Sequence, residues 1–414
     1  MAVGKPRGKR FVLERTVLSV IIKLKIQLEQ EKHMKFIHLS DLHLGKRIHG
    51  FSMLEDQKYI LEQIIQIVKQ EQADGVLLAG DLYDKPVPPI EAVQELDRFL
   101  TGLASLGISV FAVSGNHDSA ERIAFGARLM QERDIYLSPA YDGSTAKICV
   151  EDEYGEVWIH LLPYVKPAAV RHAYPQEDIQ TYQDAVQAAV RHMEVDTDKR
   201  NILVAHQFVT GAWTCDSEEI SVGGVDNVEA SVFDEFDYVA LGHIHSPQKV
   251  GRPQVRYCGT PLKYSFSEAD QEKSLTVVQI GEKGSVQLHT IPLKPLRDMR
   301  KIRGSYLEVT ARSFYQGMNL DDYYQITLTD EEDIPDGLQR LRTIYGNLMR
   351  LEYDNQRTRE DQEIDRAEEI EKKSELELFE EFYQLQNNQP MSDQQRELAR
   401  KLAEEIREDE GREP

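Results

Sequence analysis

The sequence predicts an α/β fold with a layered sheet, and three observations carry the prediction. From Met34 onward, short apolar runs alternate with longer amphipathic stretches. Residues between the first runs repeat at helical spacing, whereas the runs themselves are strand-length. The second such helix begins directly after a Pro-Pro pair, a common helix start. Strands that alternate with helices in this way indicate an α/β domain and not an all-α or all-β one.

The strands read KFIHLS, GVLLAG, SVFAVSG, VWIHLLP, NILVAH and YVALGH, followed by SLTVVQI and SVQLHT. Between the first two, Ile60, Leu61, Ile64, Ile65 and Val68 mark one helix. After Pro88 and Pro89, Ile90, Val93, Leu96 and Leu100 are expected on one face of the next. These elements place the main domain at residues 34–290. A connector, IPLKPLRD, follows. The strand YYQITLT, a helix around 338–345 and the strand NLMRLEY then predict a second, small α/β domain over residues 291–355. Residues 356–414 are charged and helical in pattern, with no β signal. Leu376, Phe379 and Tyr383 form one apolar stripe, and Leu398, Leu402 and Ile406 another. Between them lies NNQP, then Ser392 and Gln395 at capping-box spacing. Two short helices cannot hide both stripes against each other, so the stripes are expected to face a partner.

Residues 1–33 open with a basic stretch (Lys5, Arg7, Lys9, Arg10) and an apolar run at 17–22. That run is interrupted by Lys23 and Lys25, too soon to span a membrane. No small-residue cleavage site follows it, which argues against a signal peptide. These residues are expected to be an appendage of unassigned use ahead of a start at Met34.

The chain has 414 residues, of which 41% are hydrophobic, enough for a sizeable core. Cys149, Cys215 and Cys258 are far apart with no CxxC pair. That excludes a zinc ribbon or disulfide framework as the organising device and fits a reducing cytoplasm, with no membrane involvement. Of the net charge of −22, a large share, but not most, falls in the tail, where acidic residues outnumber basic ones about two to one. Divalent ions would reverse the local sign at a site, so bulk charge neither supports nor excludes a nucleic-acid substrate.

Every strong polar cluster stands at the carboxyl end of an apolar run, where open α/β sheets place their sites. The first run ends in Asp41-Leu42-His43. Read as extended chain, residues i and i+2 point to one side and can reach one ion. His245 stands in the same relation to His243 in GHIH. The second run leads into Asp81, with Asp84 a turn further on. The third leads into Asn116-His117-Asp118, and NILVAH ends in His206. Asp41, His43, Asp81, Asn116, His206, His243 and His245 thus offer mixed oxygen and imidazole ligands. They are too many for one tetrahedral ion and suit two divalent metal ions, with Asp81 the candidate bridge. Such ligands without thiolate favour Mn(2+). Two ions about 3.5–4 Å apart bind a phosphate and generate a hydroxide for in-line attack. His117 is the expected general acid and Asp84 the group that holds its ring. His38 has the opposite parity to Asp41 and His43 and is expected to pack. A single D-x-H pair most often just caps a turn; the ordered set is what signals a metal site.

In that order SDLHLG, GDLYD, GNHD, VAHQ and GHIH resemble the motifs of the calcineurin-like metallophosphoesterase superfamily. Its protein phosphatase branch shows GDxVDRG and GNHE, where this chain has GDLYDKPVPP and GNHD. DKPVPP, VGGVDNVEASVFDEFDYVALGHIHSPQ, YCGTPLKYSFSE and ELELFEEFYQLQNNQP look like the SbcD family of bacterial nuclease subunits. The resemblance covers about residues 34–410. It implies a two-sheet sandwich flanked by helices, a small α/β capping domain and a C-terminal helix–loop–helix. It implies the same seven ligands, with His117 catalytic; some relatives have a histidine at the position of Asp84. It further implies that the tail docks on an SbcC-like ATPase of the SMC family, in a heterotetramer containing a homodimer of this chain. ATP is hydrolysed by that partner, in keeping with the lack here of a G-x-x-x-x-G-K-[ST] loop. The implied activity is exonuclease action on double-stranded DNA ends and endonuclease action on single strands and hairpins, in replication, recombination and repair. Arg297, Lys301 and Arg303 are then expected to hold DNA through its phosphates. A small-substrate or cyclic-nucleotide phosphodiesterase would leave the cap and tail unexplained. A non-catalytic adaptor is disfavoured because no ligand position is lost.

Overall fold

The computed structural model describes residues 33–218 and 227–355, with Tyr383, Met391, Ser392, Gln395, Arg396, Leu398 and Ala399 beyond them. Residues 1–32 of the expected appendage lie outside these, as do Leu376, Phe379, Leu402 and Ile406 of the tail stripes. Leu398 is described and exposed.

Two six-stranded sheets form the core. The first has the order Val286–Pro292, Ser274–Ile280, Met34–Leu39, Gly75–Ala79, Ser109–Val113, Ile135–Leu137. Its last four strands run parallel, and Ser274–Ile280 joins antiparallel at Met34–Leu39. The second sheet has the order Gln248–Val250, Arg252–Tyr257, Tyr238–Gly242, Arg200–His206, Gly155–Leu162, Ala146–Asp152. Its four middle strands are parallel. Parallel strands need helical crossovers, which leave apolar surface on both sheet faces; hence the continuous apolar runs in the sequence.

Alternate residues separate the layers. Phe36, Leu77, Ala79, Phe111 and Val113 of the first sheet join Ile159, Ile202, Val204, Tyr238 and Ala240 of the second in one buried cluster. Ile37, Leu39, Val76, Leu78 and Val110 face the other way, onto helices Leu54–Glu71 and Ile90–Ser105. Leu203, Ala205, Val239 and Leu241 pack on helix Tyr182–Arg191. The result is a helix–sheet–sheet–helix sandwich. His38 lies within it, fully buried, with Nδ1 2.8 Å from the Tyr238 hydroxyl and Nε2 3.2 Å from the Leu241 carbonyl. Burial drives its imidazole down to about 3, so it stays neutral.

One helix face differs from the expectation. On Ile90–Ser105 the buried residues are Ala92, Glu95, Leu96, Phe99, Leu100 and Leu103, whereas Ile90 and Val93 are exposed. In the first turn it is Ala92 that meets the core, so Ile90 and Val93 turn to solvent, and periodicity alone cannot tell a solvent-facing apolar residue from a packed one.

Strands Met299–Gly304, Tyr323–Leu328 and Leu348–Tyr353 form a third sheet, in that order. By contacts the chain divides into two compact units. The larger runs to Ile302 and takes in Gly317–Ile326 and Leu341–Arg350; the smaller has Arg303–Gln316, Thr327–Arg340 and the chain from Leu351. In the smaller unit, helix Tyr306–Thr310 is opened by a Ser305/Glu308 capping box. Among the described residues no helix is long and apolar enough to cross a membrane.

Candidate metal centre

Both sheets deliver the ends of their central strands to one place. In the first sheet the chain past Leu39 runs beside the chain past Ala79: Asp41 N donates to Gly80 O at 3.0 Å, His43 N to Asp81 O at 2.9 Å and Leu44 N to Leu82 O at 3.0 Å. This segment is not extended. Asp41, His43 and Asp81 have φ of 54°, 45° and 49°, and His243 on the second sheet has φ of 102°. Asp41 and His43 therefore converge because the chain curls, which corrects the parity argument. Non-glycine residues held in such conformations cost about 1–3 kcal/mol each and cluster at functional sites.

The two sheets are pinched together at this level. A Cβ on Gly242 would lie 1.8 Å from the Ala79 carbonyl oxygen, and one on Gly80 would lie 2.3 Å from His206 Nδ1. The close approach lets His206 Nδ1 reach Ala79 O at 2.8 Å, across the sandwich.

All seven expected ligands meet here. His43 Nε2 lies 3.1 Å from His245 Nε2 and 3.7 Å from Asp81 Oδ2. On the other side of Asp81, His206 Nε2 is 3.4 Å from the same oxygen. Asn116 Oδ1 is 2.9 Å from His206 Nε2 and 3.0 Å from His243 Nδ1. Asp41 Oδ1 accepts from His243 N at 2.9 Å, while Asp41 Oδ2 is buried without a hydrogen-bond partner. Ligand atoms of Asp41, His43 and His245 fall within one ion's reach, as do those of Asp41, Asp81 and His206. Asp81 thus stands between two groups of donors.

These contacts fit a bound cation. An orphaned buried carboxylate oxygen is costly, and two imidazole nitrogens 3.1 Å apart leave room for a shared cation. Burial holds His43 and His245 well below the usual imidazole range and His243 at about 3, so all three are neutral and able to ligate. Burial pulls His206 down more than any single partner raises it, but the charge and hydrogen bond of Asp81, the charge of Asp41 and the Ala79 carbonyl together outweigh burial and lift His206 to about 9. Burial raises Asp41 to about 7 against the pull of His206. Burial would raise Asp81 too, yet His206 and then His43 keep it well below the ordinary carboxylate range. The site behaves as an anionic cup holding a proton where a cation fits, and its N/O donor set suits divalent metal ions.

His117 sits beside this cup, its Nε2 4.0 Å from Asp81 Oδ2. Its Nδ1 lies 3.2 Å from the main-chain oxygen of Asp84. The Asp84 carboxylate instead accepts from Lys46 Nζ at 2.7 Å. Asp84 therefore holds the ring through its backbone and not, as expected, through its side chain.

Sequence reasoning missed the supports. The Asp118 carboxylate accepts from Leu82 N, Tyr83 N and Gly115 N at 3.0, 2.9 and 2.9 Å, tying the GDLYD and GNHD loops together. Glu218 Oε1 accepts from His245 N at 2.6 Å, and Ser217 Oγ lies 2.6 Å from His245 Nδ1. Only Asp118 carries a sequence signal, its place inside GNHD.

Among the expected DNA contacts, Arg297 is already engaged. Its Nη1 donates to Asp56 Oδ2 at 2.8 Å and its Nη2 pairs with Glu55. Asp56 is fully buried and also accepts from the Tyr323 hydroxyl at 2.7 Å. Arg303 pairs with Asp354 and remains largely exposed, as does Lys301.

Comparisons with known proteins identify the family. The family model described as calcineurin-like phosphoesterase matches residues 34–247. A second, described as type 5 capsule protein repressor C-terminal domain, matches residues 295–387. The SbcD component of the nuclease SbcCD from Staphylococcus epidermidis, a curated protein, is 33% identical over 387 residues, covering 91% of this chain and 100% of that protein. Two solved structures overlap only loosely. A dimetal phosphatase from Danio rerio has a TM-score of 0.37 at 11% identity, covering 63% of this chain and 99% of that one. A psychrophilic beta-glucosidase from Micrococcus antarcticus has a TM-score of 0.21 at 10% identity, covering 77% and 83%. Neither bears on the site.

Proposed function

Because this chain belongs to the calcineurin-like phosphoesterases, and among them to the SbcD nuclease subunits, we propose that it is a metal-dependent DNA nuclease subunit. It cuts phosphodiester bonds as an exonuclease on double-stranded ends and as an endonuclease on single strands and hairpins. The observation that supports this most strongly is the convergence of Asp41, His43, Asp81, Asn116, His206, His243 and His245, from both sheets, around the Asp81 carboxylate.

Two divalent ions, Mn(2+) foremost, supply a phosphate anchor and an acidified water when bound. Asp41, His43 and His245 would hold one, Asn116, His206 and His243 would hold the other, and Asp81 lies within reach of both groups. The chain's own contribution to bond cleavage is the proton. A carbonyl oxygen only accepts, so the contact with Asp84 O puts a proton on His117 Nδ1. To protonate a leaving oxygen from Nε2, the ring must therefore act as an imidazolium.

The partner is an SbcC-like SMC-family ATPase, received by the stripes of Leu376, Phe379 and Tyr383 and of Leu398, Leu402 and Ile406. The assembly is a cytoplasmic heterotetramer with two copies of this chain. Residues 291–355 form a cap whose Lys301 and Arg303 contact DNA phosphates, with Arg297 bracing its base. Purified protein with manganese should cut a hairpin DNA and leave a cyclic nucleotide essentially intact. Rapid hydrolysis of the cyclic nucleotide beside untouched DNA would replace this reading with a small-substrate phosphodiesterase.

A further inference from the structure

Behind His245 lies a row of buried and half-buried polar groups that two-metal chemistry alone does not require. His245 Nδ1 is 2.6 Å from Ser217 Oγ. That hydroxyl donates to Glu268 Oε1 at 2.6 Å, and Glu268 Oε2 accepts from Lys273 Nζ at 2.5 Å. The side chains of Glu268 and Lys273 are 0% and 3% exposed. Desolvating such a pair costs as much as its attraction returns, and well-packed apolar residues would stabilise the fold equally well. The pair must be read through what it touches.

Hydrogen-bond direction settles what it does. A carboxylate held by an ammonium can only accept, so the single proton of Ser217 Oγ points to Glu268. Ser217 then faces His245 as an acceptor, and the imidazole proton must sit on Nδ1. Nε2 is left as a lone pair aimed at the place it shares with His43 Nε2, 3.1 Å away. The rest of His245 is clamped as well: its N donates to Glu218 Oε1 at 2.6 Å, and its carbonyl accepts from Lys273 Nζ at 2.9 Å. Tyr264 N and Lys273 keep Glu268 fully engaged, at 3.2 and 2.5 Å.

We infer that Ser217, Glu268 and Lys273 are positioning residues that lock His245 in the tautomer able to bind a divalent ion, so that half of the metal centre is set before metal arrives. The inference rests on the two-metal reading of the site but not on what the protein cuts. A metal-bound histidine whose second nitrogen is held by a carboxylate-backed partner gains both orientation and basicity.

The test uses the full-length, metal-free protein with 15N-labelled histidine, comparing wild type, Ser217→Ala and Ser217→Thr. In wild type, His245 should show the Nδ1–H tautomer by NMR; in Ser217→Ala it should become a mixture with Nε2–H. Titration with manganese alone should show the first ion bound about 10–100-fold more weakly in Ser217→Ala, with the ion held by His206 and His243 little changed. Ser217→Thr, which keeps the hydroxyl, should restore both readouts, and the three melting temperatures should agree. A wild-type tautomer and wild-type manganese affinity in Ser217→Ala would overturn the inference, as would a Ser217→Thr protein as impaired as Ser217→Ala. Neither readout involves DNA. A protein that binds two manganese ions and cuts no DNA would defeat the proposed function and leave this inference standing.

Discussion

The metal cup and the basic stretch at 297–303 are both rich in charge, yet the structure treats them in opposite ways. In the cup, Asp41 Oδ2 is left without a partner and two imidazole nitrogens face each other. Along 297–303, Arg297 and Arg303 already have acids of this chain to pair with. Buried polar groups left unsatisfied are expensive, so their persistence points to a ligand. Charges already matched within the chain point first to scaffolding. Residue type alone does not distinguish the two cases, and nor does one orphaned atom, since Asp56 Oδ1 beside Arg297 is also left over; the gathering of several unmet donors and acceptors at one point does.

The strongest way to break this contrast is at Asp81. Asp81→Asn should lose both ions and bring cleavage down by several orders of magnitude, whereas His43→Ala should mainly empty one position. Elemental analysis counts the ions, and an Asp81→Asn protein that keeps one at full affinity would remove Asp81 as the bridge. Next in size is His117→Ala, which should slow cleavage about 10²–10⁴-fold while both ions remain bound. If calorimetry shows the ions gone, His117 is a ligand and belongs to the cup.

The proton held in the cup gives a third test. His206 is raised to about 9 and Asp41 to about 7, so protons occupy the site at neutral pH and a metal must displace them. Manganese affinity should therefore rise with pH from about 6 to about 9, by up to about tenfold per pH unit for each proton released. In the metal-free protein the sign at His206 reverses. Its pairing with Asp81 stabilises the fold fully below the ordinary imidazole range, and that contribution is lost as pH climbs through about 9. Calorimetry in buffers of different ionisation enthalpy counts the protons; a pH-independent affinity would mean the cup is not charged in this way.

The smallest effects belong to the basic stretch, and they divide it. Arg297→Ala strips a partner from buried Asp56 and should cost about 1–3 kcal/mol in thermal unfolding, with little change in how DNA binding depends on salt. Neutralising Lys301 and Arg303 should do the reverse, flattening the salt dependence by about one unit of slope per contact with the melting temperature unchanged. Swapped outcomes would reverse the assignment.

The strands that carry the site were legible because each is a continuous apolar run ending in a polar cluster. Helix Tyr182–Arg191 and strands Ala146–Asp152 and Arg252–Tyr257 were not. The first of these strands is half exposed along its length, and the second includes Pro253, so neither reads as buried. That the seven candidate ligands would gather at one place could be read from order and spacing, but not the left-handed backbone that makes Asp41 and His43 converge, since that depends on bonds to the neighbouring loop. Ser217 and Glu268 lie 28 and 23 residues from His245 in sequence, on opposite sides of it, and no local pattern announces them.

The pinch at Gly242 has a consequence for how tolerant the centre can be. Two rigid slabs touch there, main chain against hydrogen, and each carries part of the ligand set. The gap between Asp41, Asp81 and Asn116 on one slab and His206, His243 and His245 on the other is thus set like the jaws of a gauge, by backbone contact and not by the length of any side chain. A methyl group at 242 would act as a shim: driven against the Ala79 carbonyl oxygen and crowding His206 Nδ1 at 2.8 Å, it would prise the jaws apart. Ligands can be exchanged one for another within that gap, but the gap itself can be changed only by opening the sandwich.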